Sequence, residues 1–413
     1  MAFTFLHLAD PHIDSPMKGL RKFSDAPVET LRAATRHAFS NAIDYAIKEE
    51  IPLIVIAGDL FDSDWEDIAT GLWVVGEFRR LQEHDIHVCL IRGNHDSAST
   101  LPTRLNWPSN VYEMPADKPS TWQHPTLPVA VHGQSFEAQA VTEDLAALYP
   151  PRRDGLFNIG LLHTSLDGES AHSTYAPTSK AVLYERNYDY WALGHIHKRE
   201  QFPGPVPVVY SGNMQGRSVR ETGPRGGYVV GVEGSQVQTE FVAFDTVRWE
   251  LINVAAEEDD TPADLIQRTV TQIEDVRSEA GGRPVAARVT LAGVTEAHHQ
   301  LVKLGDLERF EAELRSAVAR WSDVWIEKVR IRTTPPADLD AIRADGGVLA
   351  MLLDRFEQLP PDLETLLAPL QKKLTAEGVQ FSDCDIAIDG SIDDWSRVAR
   401  AELLAALASR SAD

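Results

Sequence analysis

Two cysteines, Cys89 and Cys384, are all that the 413 residues contain. They are too few and too far apart to make the dense, even set that staples a small secreted fold. No run of about 18 apolar residues occurs, so no segment reads as a membrane span and no membrane partner is expected. The start, Met1-Ala2-Phe3-Thr4-Phe5-Leu6-His7, has no basic stretch leading into an apolar one. It does not read as a signal peptide, and a cytoplasmic location is expected. Positive charge is also short: 39 Lys and Arg face 62 Asp and Glu, a formal net charge of −23. Proteins that hold nucleic acid by bulk electrostatics are usually basic, which argues against that mode of binding without excluding a local basic groove. The acidic part is densest in the tail, with −11 over residues 1–250 and −12 over the shorter 251–413.

What is present is ordinary for a globular chain: 43% hydrophobic and 24% charged residues, with length enough for two or three domains. Short apolar runs at Phe3–Ala9, Pro52–Ala57, Ile86–Ile91, Val129–His132, Leu156–Leu162, Tyr190–Leu193, Val206–Tyr210 and Tyr228–Val232 predict buried strands. Between the first three, Glu29–Lys48 and Asp67–Leu81 carry apolar residues on one 3.6-period face and predict helices. Strand and helix in alternation imply an α/β fold with helices packed on sheet faces. Past residue 250 the chain changes character. The run Glu257-Glu258-Asp259-Asp260-Thr261-Pro262 reads as a solvated linker. Helices at Pro262–Ser278 and Leu304–Ala319 alternate with strands at Val285–Leu291 and Val324–Arg332, a small α+β unit. After Pro335-Pro336 the pattern is helical and amphipathic. The expected division is a catalytic domain over 1–250, an α+β domain over 260–335 and a helical region over 336–413.

The chemistry sits where strands end. The first runs into Asp10-Pro11-His12, the second into Gly58-Asp59-Leu60-Phe61-Asp62 and the third into Gly93-Asn94-His95-Asp96. Later strands end on His163 and on Gly194-His195-Ile196-His197. Packing gives a buried strand no reason to end repeatedly in Asp or His, and the carboxyl ends of strands are where open α/β sheets build sites. Asp, His and Asn without thiolate suit Mn²⁺, Mg²⁺, Fe or Zn rather than a structural zinc. Seven donors (Asp10, His12, Asp59, Asn94, His163, His195 and His197) are too many for one four-coordinate ion and suit two ions sharing a carboxylate. Such pairs, about 3.5–4 Å apart, serve in-line attack on phosphorus.

The series Asp-x-His, Gly-Asp-x-x-Asp, Gly-Asn-His-Asp, a lone His and Gly-His-x-His resembles the calcineurin-like metallophosphoesterase superfamily in order and in strand placement. Within it, Ala9-Asp10-Pro11-His12-Ile13-Asp14-Ser15-Pro16 resembles the start of SbcD-type DNA repair exonucleases, the YhaO-like branch above all. Val209-Tyr210-Ser211-Gly212-Asn213-Met214-Gln215-Gly216-Arg217 and Arg220-Glu221-Thr222-Gly223 do the same. The closer likeness reaches about residue 245. Pro11 stands where that branch usually has Leu, a change that leaves the ligands alone. The resemblance implies a β-sandwich flanked by helices (αββα), a capping domain and a helical tail. It implies one ion on Asp10, His12, Asp59 and His197, and another on Asp59, Asn94, His163 and His195, with Mn²⁺ expected and Mg²⁺ the alternative. A bridging hydroxide would attack the phosphodiester while His95, oriented by Asp62, protonates the leaving 3′ oxygen. By the same resemblance the substrate would be DNA, as double-stranded ends or hairpins. A coiled-coil ATPase of the SbcC or YhaN kind would be the partner, and the chain would form a homodimer through Asp67–Leu81 and Ala98–Asn106. Val348–Leu374 would dock the ATPase or pack within the chain.

Cations near the expected rim, Lys18, Arg21, Lys22, Arg92, Lys198, Arg199, Arg217, Arg220 and Arg225, could track a phosphate backbone. Lys198, Asn213 and Arg217 are the expected substrate contacts. Gly212-Asn213 either shapes the rim or only turns the chain, and Asp14 is either a turn residue or part of the site. The other histidines, His7 and His132 among them, read as structural. Ser63-Asp64 follows the second motif where protein phosphatases of the superfamily carry Arg-Gly. A phosphodiesterase or phosphatase acting on a small molecule or protein is the alternative.

Overall fold

The computed structural model describes residues 2–15, 27–62, 67–98, 105–167 and 175–336, with positions 344, 346, 347 and 351. The expected early elements are present: β1 (Ala2–Leu8), α1 (Val28–Lys48), β2 (Leu53–Ala57), α2 (Ile68–Gln82) and β3 (His87–Ile91). Helix α1 buries the stripe read from the sequence, including Leu31, Ala38, Phe39, Ala42 and Ile43. Helix α2 begins at Asp67, whose carboxylate accepts the Ala69 N–H at 2.8 Å, a side-chain cap.

After the short α3 (Asn94–Ala98) come β4 (Val111–Glu113), β5 (Ser120–Gln123), β6 (Val129–Gly133), β7 (Phe157–His163), α4 (Lys180–Glu185) and β8 (Tyr190–Gly194). Next are β9 (Glu200–Phe202), β10 (Val208–Tyr210), β11 (Gly226–Glu233) and β12 (Gln236–Ala243). One six-stranded sheet runs β12-β11-β1-β2-β3-β4 and a second runs β5-β6-β7-β8-β10-β9. Strands β1 to β4 are parallel, as are β6, β7, β8 and β10. Side chains alternate faces along each strand. Phe5, Val55, Ala57 and Cys89 of the first sheet therefore meet Val131, Ile159, Leu161 and Tyr190 of the second in one core. The outer face of the first sheet, with Leu6, Leu8, Ile54 and Ile56, packs on α1 and α2. The outer face of the second, with Trp191, Leu193, Val208 and Tyr210, is covered by Tyr149, Leu183 and Tyr188. This is the helix-flanked α/β sandwich that the motifs imply.

The second compact unit takes Leu251–Val276 and the chain from Arg288. Its sheet is β13 (Arg248–Ala256), β14 (Val285–Val294) and β15 (Val324–Thr334), in that order, with α5 (Pro262–Glu279), α6 (His298–Val302) and α7 (Leu304–Val318). The acidic run before α5 exposes Glu257, Glu258 and Asp259 as a solvated linker would, but Asp260 departs from that reading. The Asp260 carboxylate is buried, takes both terminal nitrogens of Arg268 (2.6 and 2.9 Å) and accepts the Glu257 N–H. Thr261 and Asp264 then exchange hydrogen bonds across the first turn of α5, as a capping box does. Paired charge turns the chain here. Nearly all of Val348–Leu374 and of the expected helical tail, most of Ala98–Asn106, and Lys18, Arg21 and Lys22 lie outside the described residues.

Candidate metal centre

The loops after β1 and β2 extend their parallel pairing beyond the strands. Asp10 N–H donates to Gly58 O (3.1 Å), His12 N–H to Asp59 O (3.0 Å) and Ile13 N–H to Leu60 O (3.0 Å). Pro11, which has no N–H, falls at the position this ladder skips. Asp10, His12, Asp59 and His195 all hold positive φ (49°, 42°, 51° and 98°). Left-handed backbone is costly for such residues and persists where the surroundings enforce it, often at functional sites. Gly93 lets the third loop close in: a Cβ there would collide with Asp59 Oδ1 and stand 2.8 Å from His163.

These loops bring most of the expected donors together. Asp10, His12 and His197 each place a donor atom within 4.8 Å of the others, and so do Asp10, Asp59 and His163. Asp59 Oδ2 lies 3.8 Å from His12 Nε2 and 3.4 Å from His163 Nε2, between the two groups. Asn94 Oδ1 is 2.9 Å from His163 Nε2. The His195 N–H reaches both Asp10 oxygens at 3.1 Å, and its ring centroid is 5.2 Å from that of His163. Asn94 and His195 are not members of either close group, Asn94 reaching the cluster through His163.

Tautomers decide what these rings offer. His163 Nδ1 donates to the Ala57 carbonyl (2.9 Å) and His197 Nδ1 to Glu221 Oε1 (2.7 Å), which leaves both Nε2 atoms facing the cluster. His12 Nε2 and His197 Nε2 are only 3.1 Å apart, so they need one shared proton or one shared cation. Burial alone would lower His163, but the Asp59 and Asp10 carboxylates overcome it and hold the ring up at about 9. Burial works against charge on Asp59 too, yet His163 and His95 keep it low, whereas burial pushes Asp10 up. Acceptors crowded around a buried centre call for a cation, and a divalent ion satisfies the same oxygens that the His163 proton does. The donor set fits two divalent ions.

His95 and Asp62 stand at the edge. His95 Nδ1 lies 2.9 Å from Asp62 Oδ1, and its ring is edge-on to His12 at 4.8 Å between centroids. Burial would raise Asp62, but His95 and the Ser15 hydroxyl (2.8 Å) hold it at about 2. Burial likewise opposes charge on His95, and the Asp62 bond prevails and raises it. Arg217 bridges Asp62 Oδ2 (3.4 Å) and Glu221 Oε1 (3.2 Å), so it sits in the cluster as expected, although much of its capacity is taken by protein. Asn213 is buried and fully used, donating to Glu221 Oε2 (2.9 Å) and accepting from Arg225 (3.0 Å). It braces the rim. Lys198 is exposed beside His197. Asp14 pairs with Arg36 and Thr70, which makes it a structural residue of the loop.

Two residues went unassigned in the sequence. The Asp96 carboxylate accepts the N–H groups of Leu60 (3.1 Å), Phe61 (2.8 Å) and Gly93 (3.1 Å), tying the second and third loops together. Burial, then Asp59, pushes it up to about 7. Glu221 fixes the His197 tautomer, the carboxylate–histidine arrangement that commonly orients a metal ligand. The only signal for it was its place in Arg220-Glu221-Thr222-Gly223, which resembled the family without revealing a role.

Comparison with known proteins agrees with this geometry. The calcineurin-like phosphoesterase family matches residues 3–199, and the middle domain of metallophosphoesterase YhaO matches residues 249–334. The chain is 32% identical over 375 residues to the metallophosphoesterase YhaO of Bacillus subtilis, spanning 89% of this chain and 90% of that protein. A DNA double-strand break repair protein Mre11 of Sulfolobus acidocaldarius is 24% identical over 207 residues, 48% of this chain and 50% of that one. The SbcD component of nuclease SbcCD from Staphylococcus epidermidis is 26% identical over 276 residues, 59% and 70% of the two chains. Among the described residues no helix is long and apolar enough to cross a membrane. With a donor set for divalent ions at the strand ends, the chain belongs to the calcineurin-like metallophosphoesterases, a metal-dependent phosphodiesterase homologous to YhaO in the branch of Mre11 and SbcD.

Proposed function

We propose that this protein is a Mn²⁺-dependent DNA nuclease. On this reading it is a 3′→5′ exonuclease with endonuclease action on double-stranded ends or hairpins. It is the cytoplasmic, homodimeric nuclease subunit of a repair complex with a coiled-coil ATPase. The supporting observation is the crowding of Asp10, His12, Asp59, Asn94, His163 and His197 around one centre, with the His95–Asp62 pair at its edge. The relatives named for DNA double-strand break repair and as a nuclease component point the same way.

Asp10, His12, Asp59 and His197 would hold one ion and Asp59, Asn94, His163 and His195 the other. Bound there, two cations would supply the charge neutralisation that in-line displacement at phosphorus needs. The chain's own part is the proton. With Nδ1–H on Asp62, His95 keeps Nε2 to carry a proton to the leaving 3′ oxygen. Asp62, itself held by Ser15 and Arg217, stays ionised and favours the imidazolium. Glu221 and the Ala57 carbonyl keep His197 and His163 in ligand tautomers.

The test is Mn²⁺-dependent degradation of a 3′-labelled duplex beside hydrolysis of bis-p-nitrophenyl phosphate. Wild type should act on both, and His95→Ala should lose duplex digestion. Hydrolysis of the small ester alone, or undiminished duplex digestion by His95→Ala, would contradict the proposal and favour a small-molecule or protein phosphoester as substrate.

A further inference from the structure

A cavity of about 250 Å³ opens beside His197, lined by Lys198, Arg199, Gly212, Asn213, Arg225 and Phe241 among others. Its lining includes three cations and no carboxylate, in a chain where acids outnumber Lys and Arg by 62 to 39. That is a local reversal of sign. Arg225 is fixed in place: Nη1 donates to Asn213 Oδ1 (3.0 Å) and to the His197 carbonyl (2.5 Å), and Nη2 to the Thr222 carbonyl (2.9 Å). These acceptors are all neutral, so the bonds orient the guanidinium, while Glu221, bonded to the Asn213 amide (2.9 Å), offsets part of its charge from outside the lining. Arg225 Nε is buried and meets no hydrogen-bond partner among the described residues. Arg199 lies over the Phe241 ring, 4.1 Å from its centroid, and donates to the Pro224 carbonyl (2.9 Å), another neutral group. Lys198, exposed to solvent, also lines the cavity.

Gly212, at φ 73°, keeps the wall thin. A Cβ there would come 2.7 Å from the His197 carbonyl and 2.9 Å from the Arg199 nitrogen. Two planar guanidiniums and an ammonium around one small space, with no carboxylate in its lining, match the oxygens of a phosphate. Because His197 belongs both to this lining and to the metal donors, an anion here sits next to whatever occupies the metal centre.

We propose that this cavity is an anion subsite that takes the phosphate group adjacent to the one being cut. Which molecule carries the phosphate rests on the nuclease reading; that the cavity binds a phosphate does not. Isothermal titration of the full chain in EDTA separates the two, because it needs neither metal nor turnover. The probes are thymidine 3′,5′-bisphosphate and, separately, sodium phosphate. The bisphosphate should bind wild type, and Lys198→Ala with Arg199→Ala should weaken it at least about tenfold, the size expected for lost charge-assisted hydrogen bonds. Lys198→Glu alone should weaken it more than Lys198→Ala, with circular dichroism unchanged. Equal affinity in wild type and the double variant overturns the subsite. Inorganic phosphate binding as tightly as the bisphosphate overturns its role toward a strand and makes it a free-phosphate site. A protein that binds the bisphosphate through Lys198 and Arg199, yet never cuts duplex with Mn²⁺, removes the nuclease reading and keeps the phosphate subsite.

Discussion

Histidines are buried in two parts of this sandwich, and their partners differ in kind. Inside the sheets the rings meet neutral groups, two for His132 and one for His7, whose Nε2 has no hydrogen-bond partner among the described residues. His7 Nδ1 lies 3.1 Å from the Tyr190 hydroxyl, and His132 meets the Thr121 hydroxyl (2.8 Å) and Asn158 Oδ1 (3.0 Å) while stacking on Tyr188. At the rim the rings face each other and carboxylates: His12 meets His197, and His163 faces Asn94 and Asp59. A ring with a hydroxyl and an amide is satisfied by the protein. Rings that converge on shared lone pairs lack one positive charge. Burial does not mark a ligand; the unmet complement of its partners does.

The largest effect should come from His95→Ala, about 10²–10⁴-fold on duplex cleavage, the usual contribution of a positioned general acid. The loss on bis-p-nitrophenyl phosphate should be much smaller, since nitrophenolate leaves without a proton. Equal losses on both substrates would assign His95 to metal binding and blur the contrast with Asp62. Glu221→Gln should lower Mn²⁺ affinity by about 10–100-fold, as removal of an orienting carboxylate does. Direct titration checks this, and an unchanged affinity would mean that the His197 tautomer is set elsewhere.

The core histidines predict a stability effect instead. Burial, against the opposing Leu193 carbonyl, drives His7 down to about 3 from an ordinary 6.5. The unfolded chain therefore takes up a proton that the folded one refuses, so stability falls as pH drops from about 6.5 toward 3, by up to about 1.4 kcal/mol per pH unit. Urea unfolding at pH 7 and pH 5 should show a shallower acid loss in His7→Phe than in wild type. A parallel loss would mean that His7 is not held neutral. Smallest of all, Thr261→Ala should remove about 1 kcal/mol from the second unit by uncapping α5, read as a shift in the urea midpoint.

The sequence carried the strands that matter because their apolar runs are continuous and they end in Asp, Asn or His. It did not carry β4, β5, β9 and β12. These are short or lie at sheet edges, where side chains are half exposed and the apolar pattern fades, as in the alternating burial of Gln236–Ala243. β13 was missed for a related reason: its burial alternates, so Arg248–Ala256 shows no continuous apolar run. The donor types that converge on the rim were legible from motif spacing, whereas the bonds that orient them were not. Asp96 reaches back 36 residues to the Leu60 amide and Glu221 reaches 24 to His197, contacts that only the assembled loops create. The solvated reading of Glu257–Pro262 fits the exposed Glu257, Glu258 and Asp259 but not Asp260, because composition cannot say that Asp260 has Arg268 as its partner.

On the reading proposed here the rim binds two divalent ions through a shared Asp59. Titration of the metal-stripped chain with Mn²⁺, followed by calorimetry and electron paramagnetic resonance, tests it directly. Two ions per chain with a spin-coupled signal are expected, and loss of that coupling in Asp59→Asn. A single uncoupled ion, or a wild-type signal in Asp59→Asn, would contradict it.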